Sequence, residues 1–241
     1  MAKIRLYIDH PLVAGQPVPL DPGQAHYLSS VMRLRVGDRI RVFNGQDGEW
    51  LADLEQVSKR GGSVLPVEQS GPQVSPPDLW LVFAPIKKAR TDFIVEKAAE
   101  MGAARIKPVQ TGHTNADRIR QDRLQAHAIE AAEQCGGTFV PTVDDLTPLS
   151  RLLQGWDPER RILWADEALA GPAQTLAGLA TGPWAILIGP EGGFSDTERS
   201  QLRQLPFVTP VSLGPRILRA DTAAVAALAL WQAALGDWRQ D

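Results

Sequence analysis

Two glycine turns near the carboxyl end of this 241-residue chain carry the residue types best suited to chemistry. Glu191 sits inside Gly189-Pro-Glu-Gly-Gly193, and Arg216, Arg219 and Asp221 follow the turn at Gly214-Pro215. Glycine lets bare backbone approach a ligand or adopt a positive φ, and two such turns after two strands suggest one pocket. Glu191 is neither a helix cap nor a core residue, so it reads as directed at a ligand. Arg216 and Arg219 could clamp a phosphate or the polar edge of a base; equally, they could pair with Glu191 or Asp221. The first turn lacks the Gly-x-Gly-x-x-Gly spacing of dinucleotide sites and the Lys and Ser/Thr of a P-loop, which disfavours hydride transfer and nucleotide hydrolysis. Cys135 has no His or basic neighbour in sequence and reads as a buried, inert thiol. His26 and His113 could titrate near neutrality, but a lone histidine is more often structural, and neither is assigned a catalytic role.

The elements that position these turns follow from hydrophobic rhythm. Trp184-Ala-Ile-Leu-Ile188 is a strand feeding the first turn, and Ser195-Asp-Thr-Glu198 is a capping box that starts a helix. Earlier, Leu79 to Ala84 forms a continuous apolar strand, as expected for a sheet buried on both faces. A helix follows, with Ala89, Phe93, Ile94, Ala98 and Met101 on its apolar face and Gly102 as its stop. Further elements are a strand near Arg105 to Val109, a helix from about Ala116 to Gln134, strands at Arg161 to Trp164 and near Val208 to Ser212, and a final helix from Thr222 to Leu235 with Asp221 as its cap. Alternating strands and helices predict a parallel sheet with helices on both faces. The final helix is apolar almost all round, which implies burial in the core or against another subunit.

The first 70 residues read differently. Short alternating runs at 39–43, 49–54 and 63–65, separated by turns, predict a small antiparallel β-domain. The stretch Gln69 to Pro77 is rich in turn formers and marks the domain boundary, giving domains at 1–70 and 76–241. The formal net charge of −3 argues against a chain that is basic throughout, so a nucleic-acid surface has to be local. Arg33, Arg35, Arg39 and Arg41 surround a single Asp38, and residues 86–123 carry a second basic excess that includes Lys87 and Arg90. Arg39 and Arg41 would share one strand face, a phosphate-tracking ribbon or else the solvated outside of a small barrel. The lone cysteine and four scattered histidines predict no disulfide and no metal site. The amino terminus lacks an apolar signal core, and Ala220 to Leu235 falls short of a membrane span, so a cytoplasmic location is the default expectation.

Seven segments in order, His26 to Leu34, Gly37-Asp38, Phe43-Asn-Gly45, Glu96 to Gly102, Glu130 to Gly136, Ile188 to Phe194 and Ser212 to Arg219, resemble the ribosomal RNA small subunit methyltransferase E family nearly end to end. The resemblance implies an α/β fold of the SPOUT type, a trefoil-knotted parallel sheet with helices on both faces, preceded by a small PUA-like β-barrel that binds RNA. It implies a homodimer that uses S-adenosylmethionine to methylate N3 of one uridine in 16S ribosomal RNA of the small subunit. Carried over by motif, Ile188, Gly189, Glu191, Gly192, Gly193, Leu213, Gly214, Ile217, Leu218 and Arg219 fall on the cofactor-binding loops. The chain departs from the family pattern at Ala220-Asp-Thr222, where Thr-Glu-Thr is frequent, and at Cys135-Gly-Gly137, where Ser-Gly-Arg is frequent.

Methyl transfer from a sulfonium is a matter of alignment and of removing the N3 proton, so a base should assist. Arg219 is expected to stabilise the anionic uracil, with Glu191 or Asp221 aiding proton removal or holding Arg219. The arginines at 33, 35, 39 and 41, with Lys87 and Arg90, are the expected grip on RNA. Two alternatives stand beside this reading: a SPOUT enzyme acting on another RNA such as tRNA, and a non-catalytic RNA-binding or assembly protein.

Overall fold

The computed structural model describes residues 4–116, 118–169, 171, 176 and 178–239, and the chain divides into two compact units. The first unit comprises residues up to 75 together with 132–140. Its strands β1 (Arg5–Tyr7), β2 (Val18–Leu20), β3 (Arg39–Phe43), β4 (Glu49–Val57) and β5 (Gly62–Gly71) form one sheet in the order β1-β3-β4-β5-β2. Three of its four pairings are antiparallel, but β1 runs parallel to β3, so the sheet is mixed where an antiparallel one was expected. Strand β5 runs through Gln69 and Ser70 to Gly71, pairing with Glu49 and Trp50, and so enters the turn-rich stretch read as the domain boundary. Irregularities in the β4–β5 register accommodate Pro66 without breaking the ladder. Alternation sends Ile40 and Val42 into a core with Leu6, Leu28, Leu54 and Val64, while Arg39 and Arg41 take the other face. Between β2 and β3 lie α1 (Pro22–His26), opened by an Asp21–Gln24 capping box, and a π-helical turn over Tyr27–Val31.

Residues 132–140 enter this unit through Arg5. Its guanidinium donates to the carbonyls of Ala132 (2.7 Å), Glu133 (3.0 Å) and Gly137 (2.9 Å) and to Glu49 Oε2 (2.6 Å). A cation thus satisfies carbonyls that the end of a helix leaves orphaned. Cys135, in the same segment, is exposed rather than buried, because the helix that carries it ends there and Gly136 turns the chain away at a φ of 84°.

The second unit holds a parallel sheet in the order β12-β10-β11-β6-β7-β8, built from β6 (Leu79–Phe83), β7 (Arg105–Gln110), β8 (Thr142–Val143), β10 (Arg161–Ala165), β11 (Trp184–Ile188) and β12 (Val208–Val211). A two-residue strand β9 (Thr147–Pro148) pairs with β7 beyond β8. Both faces are covered, as the continuous apolar strands demand. On one face Val82, Ile162, Trp164, Ala185 and Leu187 pack with Leu149 and Leu153 of α4 (Leu149–Gln154) and Leu202 of α5 (Asp196–Gln204). On the other, α6 (Ala220–Leu235) lies over β11 and beside α2 (Lys88–Glu100).

Helix α2 buries Thr91, Asp92, Ile94, Val95 and Ala98, leaving Ala89 and Phe93 of the expected apolar face exposed. The buried positions 91, 94, 95 and 98 follow helical spacing one step round from the predicted stripe. Helix α3 (Gln121–Cys135) starts five residues later than predicted, where the chain first bonds from Leu124 N to Arg120 O and where the buried series Leu124, Ala128, Ala131 begins. Asp117 of the predicted helix lies outside the described residues. Asp221 lies in the first turn of α6 rather than at its cap, a position taken by Arg219.

Candidate active-site cleft

The carboxyl ends of β10, β11 and β12 open on a cleft of about 200 Å³, where ligands sit in open α/β sheets. Its apolar wall includes Leu169, Ile188, Val211, Leu213 and Leu218, and its mouth carries Glu191, Arg216 and Arg219. Of the residues assigned to cofactor loops, Ile188, Gly189, Glu191, Gly193, Leu213, Gly214, Ile217, Leu218 and Arg219 all line this one cleft. Gly192 is beside it but faces elsewhere, with its Cα toward the His113 side chain. Ile217 stands 78% exposed at the lip.

Sequence dictates the turn's shape at two glycines. A Cβ on Gly189 would lie 2.7 Å from the Phe194 ring, which is itself fixed edge-on against Trp164 at 5.7 Å. Gly193 has a φ of 68°, and a Cβ there would strike the Glu167 carboxylate. The turn then enters α5 through the predicted capping box: Ser195 Oγ accepts from Glu198 N at 3.3 Å, and Ser195 N donates to Glu198 Oε2 at 2.8 Å.

The start of α5 ties down two neighbouring loops. Glu198 Oε1 accepts from Gly112 N at 2.8 Å, and His113 Nδ1 lies 3.0 Å from Gly192 O. On the other side Arg199 ion-pairs with both Asp166 and Glu167 and donates through Nε to Phe194 O at 3.1 Å, while Arg203 reaches Asp166 Oδ2 at 3.1 Å. The Asp166 side chain is wholly buried between its two arginines. Asp166, Glu167 and Arg199 were not found from sequence. Their one signal is an acidic pair directly after the strand ending Leu163-Trp164-Ala165, a strand-end position where ligand-facing residues gather.

The charged candidates separate into occupied and available groups. Asp221 forms an ion pair with Arg90 at 3.4 Å and accepts from Thr222 N at 2.9 Å. Among the described residues Glu191, Arg216 and Arg219 have no ion-pair partner, so the pairing of these arginines with Glu191 or Asp221 is not realised. In the first unit Arg39 makes a two-pronged pair with Asp53 (2.6 and 3.0 Å), and Arg41 lies 3.3 Å from Glu49. The Arg39 bond holds the Asp53 carboxyl below its usual range. Arg33 and Arg35 are exposed and carry no side-chain ion pair among the described residues; around them Val31 (60%), Met32 (38%) and Val36 (64%) face solvent. Lys87 stands exposed at the start of α2. No group of three or more His, Cys, Asp or Glu capable of holding a metal exists among the described residues.

Comparison with known proteins gives this geometry a context. Residues 73–232 match the family model of an RNA methyltransferase domain, and residues 20–66 match that of an RNA methyltransferase PUA domain. The chain is 31% identical over 229 residues to ribosomal RNA small subunit methyltransferase E of Rickettsia conorii, covering 93% of each, and 30% identical over 220 residues to that of Bacillus subtilis, covering 85% of each. Among solved structures, the ribosomal RNA small subunit methyltransferase E of Neisseria gonorrhoeae bound to S-adenosyl methionine superposes with a TM-score of 0.87 at 28% identity, covering 98% of this chain and 99% of that one. A putative methyltransferase of Legionella pneumophila in complex with the same cofactor gives 0.89 at 29% identity, with 98% and 100% covered.

Proposed function

Because this chain belongs to the ribosomal RNA small subunit methyltransferase E family, we propose that it transfers a methyl group from S-adenosylmethionine to N3 of one uridine in 16S ribosomal RNA of the small subunit. The observation that carries the reading is the convergence of both glycine turns on one cleft with uncommitted arginines at its mouth. The cleft suits the cofactor. Its apolar walls match the faces of a purine, and the amides of Ile217 and Leu218 are free of bonds within the chain among the described residues. The carboxylate of Glu167 lines the same space and suits a ribose diol.

The bound cofactor supplies a methyl group made electrophilic by its sulfonium. The chain's own residues then have to hold the uracil in line and manage one proton. Arg219, at the mouth and unpaired, places a fixed positive charge for O2 or O4 of the uracil as N3 loses its proton. Asp221 is already held by Arg90, which leaves Glu191 as the carboxylate free to accept that proton, while the Arg90–Asp221 pair fixes the start of α6 beside Arg219. Arg33, Arg35 and Lys87 are the cations best placed to take phosphates, with Arg39, Arg41 and Arg90 available only by exchanging their present carboxylate partners.

Residues 1–70, with 132–140 packed into the same unit, are read as the RNA-binding PUA-like barrel and the remainder of 76–241 as the methyltransferase domain. The trefoil knot of the SPOUT fold is supported by the strand order, in which β10 is flanked by β11 and β12, and by the return of α6 over β11. A homodimer is supported by Val225, Ala226, Ala229, Leu230 and Ala233, which share one uncharged, solvent-reaching face of α6. The RNA substrate implies work in the cytoplasm, and no helix among the described residues is long and apolar enough to cross a membrane.

The test is transfer of labelled methyl to small subunits lacking the modification, with the product nucleoside identified by mass spectrometry. N3-methyluridine at one position is the expected product; methylation of tRNA instead, or no transfer despite cofactor binding by calorimetry, would overturn the reading. Arg219→Ala should lower kcat about 10²-fold or more.

A further inference from the structure

A second cleft, of about 450 Å³, lies between the segment leaving β6, the first turns of α2, Ala116 and the residues 118–124 that lead into α3. Its lining includes Lys88, Arg118, Arg120 and Arg123, with Asp92 as the one carboxylate among the described lining residues and apolar surface from Ile86 and Ile119. Two of the four cations are already spent. Arg123 pairs with the buried Asp92, and Arg120 grips Asp122 with bonds of 2.9 and 2.7 Å. Lys88 and Arg118 are exposed and have no ion-pair partner among the described residues, so the cleft keeps two uncompensated positive charges over a partly apolar floor. That combination fits a nucleotide: the phosphate meets the cations and the base or sugar covers the apolar surface.

The cleft's place along the sheet identifies which nucleotide. Ala84, the residue between β6 and Pro85 of this cleft, donates through its amide to Ile188 O at 3.0 Å, and Ile188 lines the methyl-transfer cleft. Strands β6 and β11 are sheet neighbours, separated by about 4.8 Å, so the two clefts open side by side at the same strand ends. The Arg90–Asp221 pair joins α2, which walls one cleft, to the start of α6, which walls the other. We infer that the cleft around Lys88 and Arg118 holds a phosphodiester of the substrate RNA a nucleotide or two from the target uridine. The inference rests on the proposed RNA substrate and adds residues that the methyl-transfer site does not use. Held at this second point, a strand can present an unstacked base to the first cleft without sliding.

The test is equilibrium binding of 16S ribosomal RNA by the full chain and by a Lys88→Gln/Arg118→Gln double variant between 50 and 200 mM salt, with cofactor binding followed by calorimetry in parallel. The variant should bind about tenfold more weakly at physiological salt, and its plot of log affinity against log salt should be shallower by about 1 to 2. Cofactor affinity and thermal midpoint should stay unchanged, since both side chains are exposed, and Lys88→Arg/Arg118→Lys should restore binding. Superimposable titrations of wild type and variant, or equal weakening with an unchanged salt slope, would overturn the inference. So would loss of the difference in millimolar inorganic phosphate at constant ionic strength, which would mark a site for free anion. If wild type transfers no methyl while the binding difference persists, the methyl-transfer reading fails and the cleft stands.

Discussion

At Asp122 the hydrogen bonds from Arg120 hold the carboxyl well below the usual range, at about 2 against an ordinary 3.8. The folded value lies below the unfolded one, so the pair's contribution to stability is complete above pH 3.8 and fades as pH falls toward 2. Carbon-13 NMR titration should find this carboxyl among the most acidic in the chain, and Arg120→Ala should return its midpoint toward 3.8; an unchanged midpoint would show that Arg120 is not the cause. The same pairing logic separates what was legible from what was not. Arg39 is directly opposite Asp53 across the hairpin, so its occupation could have been read by counting outward from the Phe43–Glu49 pair. Arg90 and Asp221 are far apart in sequence, and only the packing of α2 beside α6 joins them. The glycines at 189, 193 and 214 were legible because a turn's backbone demands leave a mark in residue type, whereas Arg199 looks like any surface arginine on a helix.

Among elements, α5 lines none of the cleft yet anchors the loops around it, through Glu198 to Gly112 and through Arg199 to Asp166 and Glu167. Its capping box was readable from Ser195 and Glu198 alone, but Glu198 also takes the amide of Gly112, a use of its second oxygen that no local pattern announces. Ser195→Ala should therefore cost about 1 kcal/mol in denaturant unfolding, the ordinary loss of a cap. Because the same helix start anchors the 111–113 loop and, through Arg199, the Asp166–Glu167 segment, cofactor affinity should fall as well. A stability loss with cofactor affinity intact would show that the cap supports the helix only. Elements too short to show their own period escaped sequence reading: β8 and β9 are two residues each, and α4 and the π-helical turn after α1, at six and five residues, complete fewer than two turns. Helix boundaries slipped for a related reason, since apolar spacing locates a buried face and says little about where the first turn closes.

For the whole molecule, the alternating strands and helices and the β-rich first 70 residues were readable, while strand order was not, because it depends on crossovers that leave no trace in local composition. Assembly is the property best tested at this scale. If the proposed homodimer forms through α6, a charge on the uncharged face of that helix, as in Leu230→Glu, should shift the sedimenting species from dimer to monomer and abolish methyl transfer without unfolding the chain, since Leu230 is 37% exposed. Persistence of the wild-type sedimentation coefficient would overturn the proposed interface on α6.

The guanidinium of Arg5 reaches residues 132–140, so the first unit is assembled from two stretches of sequence separated by more than fifty residues of the second. No single cut of the chain releases both units intact. Severing it after residue 75 would strip the carbonyls of Ala132, Glu133 and Gly137 of the cation that satisfies them and leave part of one unit stranded on the other. The two units are therefore poor candidates for independent exchange between genes: a recombination event at the apparent linker would carry off an incomplete module, and descent should keep the pair together.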